Sequence, residues 1–221
     1  QGIVPLSLEL LLKKREKYTT LIQTTSDNEK LETYKQRKSA LKWILVTSFG
    51  YLGFNNAKFG RIDAHMAVCA FARALLLQAI HIAEKNGFSV LHGIVDSLWI
   101  YKKDSTVQDY ERLRDTIAAE TGFDLSLDVY RWIVFLSSKE NKNLPVANRY
   151  FGANLKGELK LRGIETRRHD TPRFFKNCQL EILNMFASCK TISDVKKAIF
   201  DAKEIQAKYT NRIYCNQVSL E

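Results

Sequence analysis

Cysteine is scarce in this chain and scattered: Cys69, Cys178, Cys189 and Cys215 are far apart and form no CxxC pair. That spacing argues against a metal knuckle or a disulfide framework and fits a reducing compartment. No apolar run is long enough to suggest a membrane span. The longest, "AVCAFARALLLQAIHIA", is interrupted by Arg73 and is too short to cross a bilayer. No secretory leader is visible, and the chain opens on Gln1 rather than Met, as a trimmed N-terminus would. There are no internal repeats and no low-complexity tracts.

Positive charge is abundant and unevenly placed. The formal charge is +10, and Lys plus Arg against Asp plus Glu count 9 to 5 over residues 1–48, 11 to 11 over 49–146 and 14 to 8 over 147–221. Two basic ends flank a neutral middle, a pattern that suits a polyanion gripped from two sides. A solvated basic surface is the plain alternative.

The pattern predicts an α+β chain. Residues 7–25 read as a helix after Pro5 and Ser7, with Leu8, Leu11, Leu12, Tyr18, Leu21 and Ile22 as its apolar stripe. "TTSDNE" is a capped turn, and a second helix follows from about Glu29 to Thr47. These form an antiparallel pair too thin to bury a core alone. "SFGYLGFNNAKFG" is glycine-punctuated and is expected to approach another backbone or a ligand closely. A helix over 63–85 leads into a hairpin of strands 88–94 and 98–103 that turns at Val95–Ser97. One hairpin face carries Phe88, Val90, Ile94, Leu98 and Ile100, the other Leu91, Val95, Trp99 and Tyr101. Both faces therefore need a cover. A helix over 106–121, strands near 125–130, 132–137, 148–152 and 158–164, and helices over 171–188 and 192–209 complete the reading. A two-stranded hairpin is marginal alone and leaves bare edges, which implies a partner chain.

Two features carry chemistry. Asp96 stands where the hairpin turns, and it reads either as a Mg²⁺ ligand or as an ordinary turn aspartate. Lys35, Lys38 and Lys42 fall on one helix face, and Arg15 on the other helix is surrounded by Lys13, Lys14 and Lys17. Two facing basic helices can clamp a polyphosphate; a solvated face is the alternative.

Five segments then occur in an informative order. "GIVPLSLELLLKKREKY" resembles the opening of the fingers helices in archaeal family B DNA polymerases, and "KSALKWILVTSFGYLGF" resembles their motif B, KxxxNSxYG. "HGIVDSLW" falls where that family has motif C, usually YGDTDS; "ANRYFG" resembles its KKxY element, and "RGIETRRHD" the turn into its thumb. The resemblance spans about residues 2 to 175. It implies fingers over 1–48, the motif C part of the palm over 49–146, and a palm–thumb junction with a short helical thumb over 147–221. The fold implied is α+β, with a helical fingers hairpin and a palm whose antiparallel β hairpin is flanked by helices.

Carried over residue by residue, the resemblance makes Arg15, Lys38 and Lys42 triphosphate ligands, and puts Phe49 and Gly50 at the nascent base pair. It makes Asp96 the catalytic Mg²⁺ ligand, and Arg149, Tyr150, Arg167 and Arg168 DNA contacts. No exonuclease segment and no motif A are recognised, so the expectation is the small subunit of a split polymerase whose large subunit supplies both. Primer–template DNA, dNTP, Mg²⁺ and a sliding clamp are the further partners implied, in a cytoplasmic, nucleoid-associated setting without a membrane. Ile94, Val46, Phe49, Ala147 and Asn148 depart from the family pattern and resemble a divergent archaeal branch. The competing expectation is a non-catalytic DNA-binding or scaffolding subunit.

Overall fold

The first helices follow from caps and a seven-residue rhythm. Asp27 accepts hydrogen bonds from the Glu29 and Lys30 amides at 3.0 and 3.2 Å and so separates α1 (Ile3–Thr24) from α2 (Asn28–Leu52). Half-buried residues recur at spacings of three and four: Leu8, Leu11, Arg15, Tyr18 and Ile22 in α1, and Leu31, Tyr34, Lys38, Leu41 and Leu45 in α2. Such a stripe packs two helices side by side, yet neither helix contains a buried residue. α2 runs five residues past the expected Thr47, straight through Gly50, and stops at Gly53. A single interior glycine costs a helix about 1 kcal/mol and does not end it.

The computed structural model describes residues 2–215 together with Gln217 and Val218, so the last residues of the expected thumb segment lie outside it. Among the described residues the fold is α+β, with seven α-helices and two small antiparallel sheets. The chain divides into two compact units, Gln1–Gln78 and Ala79–Glu221.

In the first unit, consecutive turns carry the chain from α2 to α3 (Ile62–Lys85). Ala57 N donates to Phe54 O and Gly60 N to Ala57 O. A Cβ at Gly60 would lie 2.5 Å from the Phe54 oxygen, so this glycine makes the close backbone approach expected of the segment. α3 corrects one expectation. Arg73 does not break it, and its 24 residues have the length and apolarity of a membrane span. Little of it is covered: Ile82 and Ala83 are buried, while Met66, Phe71 and Leu77 are exposed, Phe71 by 72%.

The second unit holds two cores. In one, the end of α3 packs through Ile82 and Ala83 on Phe88 and on Leu113 and Ile117 of α4 (Val107–Thr121). Val90, Leu98 and Ile100 of the strands β1 (Ser89–Ile94) and β2 (Ser97–Tyr101) close it. In the other, Trp132 and Ala153 of a three-stranded sheet meet Phe186 and Val195 of the C-terminal helices. That sheet has the order β3 (Tyr130–Ser137), β4 (Pro145–Asn154), β5 (Leu159–Arg162). Trp132 Nε1 donates to the Cys189 carbonyl at 2.9 Å and so ties the sheet to the helical layer.

Residues 125–129 form no strand, and β4 is twice the expected length. The helical end consists of α5 (Arg173–Ala187), α6 (Ile192–Lys197) and α7 (Ile199–Tyr214), because Thr191 caps a separate short helix.

Candidate functional site

The hairpin tip is a two-residue loop. Ile94 pairs with Ser97, which leaves Val95 and Asp96 to reverse the chain. Val95 has φ +54°, a left-handed conformation that two-residue hairpin loops usually give to glycine, asparagine or aspartate and that a β-branched residue adopts only under strain. Its side chain is 75% exposed, so no packing compensates the strain.

Asp96 is exposed as well, so its carboxylate is open to solvent. The hydroxyl of Ser97 donates to its Oδ1 at 3.3 Å. Among the described residues no group of three or more His, Cys, Asp or Glu is gathered as a metal cage. A lone exposed carboxylate fits Mg²⁺ as one ligand, since this hard ion takes one or two carboxylates and completes its shell with water and phosphate oxygens.

A β-bulge re-aims the strand that leads to the tip. Val90 faces Ile100, but the next pair is His92 with Trp99, so Leu91 is the extra residue. Beyond the bulge Ile94, opposite Ser97, shares the face of His92 and Trp99. This corrects its expected place beside Val90 and Leu98. The covers expected for the two hairpin faces are thus the first core on one side and a ring cluster on part of the other. His92 lies 5.4 Å from Trp99 and 5.0 Å from Phe135 between ring centroids. Trp99 and Phe135 in turn lie 5.2 and 5.5 Å from Tyr150.

β4 is looped near its start. Tyr150 pairs with Phe135 and Pro145 with Ser137, so residues 146–149 have only Leu136 opposite them. Three contacts hold this loop. His92 Nε2 donates to the Ala147 carbonyl at 2.9 Å. Gly163, at φ +61°, lies so close to Asn148 that an added Cβ would overlap its carbonyl oxygen. Arg149 donates to the Gly163 carbonyl at 3.1 Å and to Glu165 at 2.9 Å.

Gln179 donates to the other Glu165 oxygen at 2.7 Å and accepts from the Thr166 amide. The Gln179 bond first, then a bond from its own backbone amide and the charges of Arg149 and Arg168, hold the Glu165 carboxyl below its ordinary 4.5 against the opposing effect of burial. Of the expected DNA contacts, Tyr150 is thus 6% exposed and part of the ring cluster, and Arg149 is engaged by Glu165. Arg167 is exposed; Arg168, also exposed, forms a fork with Asp170 whose hydrogen bond brings that carboxyl down to about 2.

In the first unit Arg15 and Lys38 are half-buried in the α1–α2 stripe, while Lys42 is exposed. The Arg15 Nε is buried without a hydrogen-bond partner, an unmet donor. Phe49 stacks on His65 at 4.2 Å, and His65 Nδ1 donates to the Phe49 carbonyl at 3.1 Å. Gly50 faces open space. His65 and His92 were not singled out from sequence. His92 sits inside the hairpin motif and could have been; nothing in the local pattern marks His65.

A family model described as DNA polymerase family B matches residues 1–221. The chain belongs to DNA polymerase family B. It is 37% identical over 197 residues to the "DNA polymerase 2" of Saccharolobus solfataricus, covering 89% of this chain and 28% of that protein. With the "DNA polymerase" of Archaeoglobus fulgidus it shares 28% over 199 residues, which are 88% and 24% of the two chains. The "DNA polymerase" of Thermococcus gorgonarius is 25% identical over 220 residues, 94% of this chain and 26% of that one. This family B chain therefore spans about a quarter of the length of these relatives.

Proposed function

We propose that this chain is the fingers, motif C palm and short thumb portion of a DNA-directed DNA polymerase, with segments at 1–48, 49–146 and 147–221. It acts with a large subunit that brings the motif A carboxylate and the exonuclease. The observation that carries the reading is the family match across the whole chain combined with an exposed carboxylate, Asp96, at the motif C tip. The exposed apolar residues of α3, Met66, Phe71 and Leu77 among them, support contact with a further polypeptide.

In this reading Asp96 and the large subunit's motif A carboxylate hold Mg²⁺. When bound, the metal supplies stabilisation of the negative charge on the attacking and leaving oxygens of an in-line displacement. Arg15, Lys38 and Lys42 hold the dNTP triphosphate and offset its charge. Phe49 and the open side of Gly50 face the base pair being formed. Arg167 and Arg168 meet the primer–template backbone, while Arg149 and Tyr150 shape the strand beneath it.

The test is primer extension by the chain combined with its large subunit, comparing the native protein with Asp96→Asn. Extension by the variant should fall by at least about two orders of magnitude, as expected when a metal contact worth several kcal/mol is lost. Equal extension by both would end the catalytic reading. A second reading, a DNA-binding or scaffolding subunit without catalysis, is favoured by Ile94, which removes the first motif C carboxylate. It predicts duplex binding that is indifferent to Asp96→Asn.

A further inference from the structure

We infer that His92 is a positioning residue that clamps the looped strand 146–149 to the motif C hairpin and thereby sets the grip on the primer–template duplex. Three observations converge on it. The bulge at Leu91 has no partner in β2, and its effect is to bring His92 opposite Trp99. The ring then lies against Trp99 and Phe135, both of which touch the buried Tyr150. The Ala147 carbonyl accepts from His92 Nε2 at 2.9 Å, at a point where the loop leaves its ladder with β3.

A carbonyl only accepts, so Nε2 carries the proton whichever form Nδ1 takes. One side chain therefore joins the two sheets, with its ring against Trp99 of β2 and Phe135 of β3 and its N–H on β4. His92 stands four positions before Asp96, and Ala147 two before Arg149. The family's lysines are replaced by Ala147 and Asn148, so no long cations are present there to hold DNA directly. What remains is the course of the backbone, and His92 fixes it from one side as Gly163 and Glu165 do from the other. The proposal rests on the polymerase reading for the identity of the ligand alone.

The experiment compares the native chain with two variants, each in full length and assembled with its large subunit. His92→Phe keeps a ring and loses the donor, whereas His92→Gln keeps a donor and loses the ring. Amide hydrogen exchange over 146–149 and anisotropy of a labelled primer–template duplex are measured on each. With His92→Phe, exchange should quicken about tenfold and the duplex Kd should rise by a similar factor, the size expected for one net hydrogen bond. The dNTP KM should stay as in the native protein. His92→Gln should recover most of the lost protection and affinity.

Unchanged exchange in His92→Phe would overturn the clamp, and so would faster exchange with an unchanged Kd. If the native complex bound no duplex at all, the polymerase reading would be what failed. The clamp would then stand or fall on the exchange data.

Discussion

The helices α1 and α2 comprise 22 and 25 residues, none of them buried, whereas the second unit seals two clusters around Phe88 and Trp132. The contrast separates two jobs. The second unit is held by its own apolar burial, worth about 1.5–3 kcal/mol for each large side chain. The pair places the cations Arg15 and Lys38 in the stripe that would otherwise form its core, so it gives up cohesion for a charged surface.

The largest effect that sharpens this contrast is expected from Trp132→Ala. It removes a core ring and its bond to Cys189, and should cost about 3–5 kcal/mol in denaturant unfolding. Leu41→Ala in the half-buried stripe of α2 should cost about 1 kcal/mol; an equal loss at both positions would break the comparison.

Next in size is Arg15→Met. Replacing an unmet buried donor with an apolar chain of similar length should leave stability unchanged or raise it. In primer extension with the large subunit, the same change should raise the dNTP KM about tenfold. A loss of stability with an unaltered KM would mean that the guanidinium serves the helices rather than a ligand.

Val95→Gly acts at the exposed hairpin tip. Relief of the left-handed strain should stabilise the second unit by about 1 kcal/mol, read as a higher denaturant midpoint.

The smallest effect is a pH dependence. The Glu165 carboxyl is held below 4.5 in the folded chain, so its contribution is complete above 4.5 and is lost as pH falls through the folded value. Solvent screening keeps it on the order of a few tenths of a kcal/mol, because the side chain is 45% exposed. Midpoints of native protein and Glu165→Gln should therefore converge as the solution is acidified below that point.

Much of the fold was legible because local signals agree with it. Asp27 announces the break between α1 and α2, the 3.6-residue pattern marks α4, and short runs apolar on both faces mark β1 and β2. The errors have physical causes. Leu91 looks like any strand leucine, and only pairing with β2 makes it the bulge that turns Ile94 to the other face. Residues 125–129 alternate in polarity as a strand does, but they lie beyond the ladder. Arg73 reads as an interruption in a linear string, although a helix carries one charge without breaking.

The site was legible only as residue types. Asp96 could be named at the tip, but its exposure could not. Tyr150 and Arg149 could be named, while their engagement with Trp99 and Glu165 depends on contacts between distant parts of the sequence.

Gly163 gives the chain a point with almost no tolerance for genetic change. Its backbone angle and its closeness to the Asn148 carbonyl leave no room even for a methyl group. Every missense codon there should displace the segment that His92 and Arg149 hold, and a saturation library should come back with glycine alone.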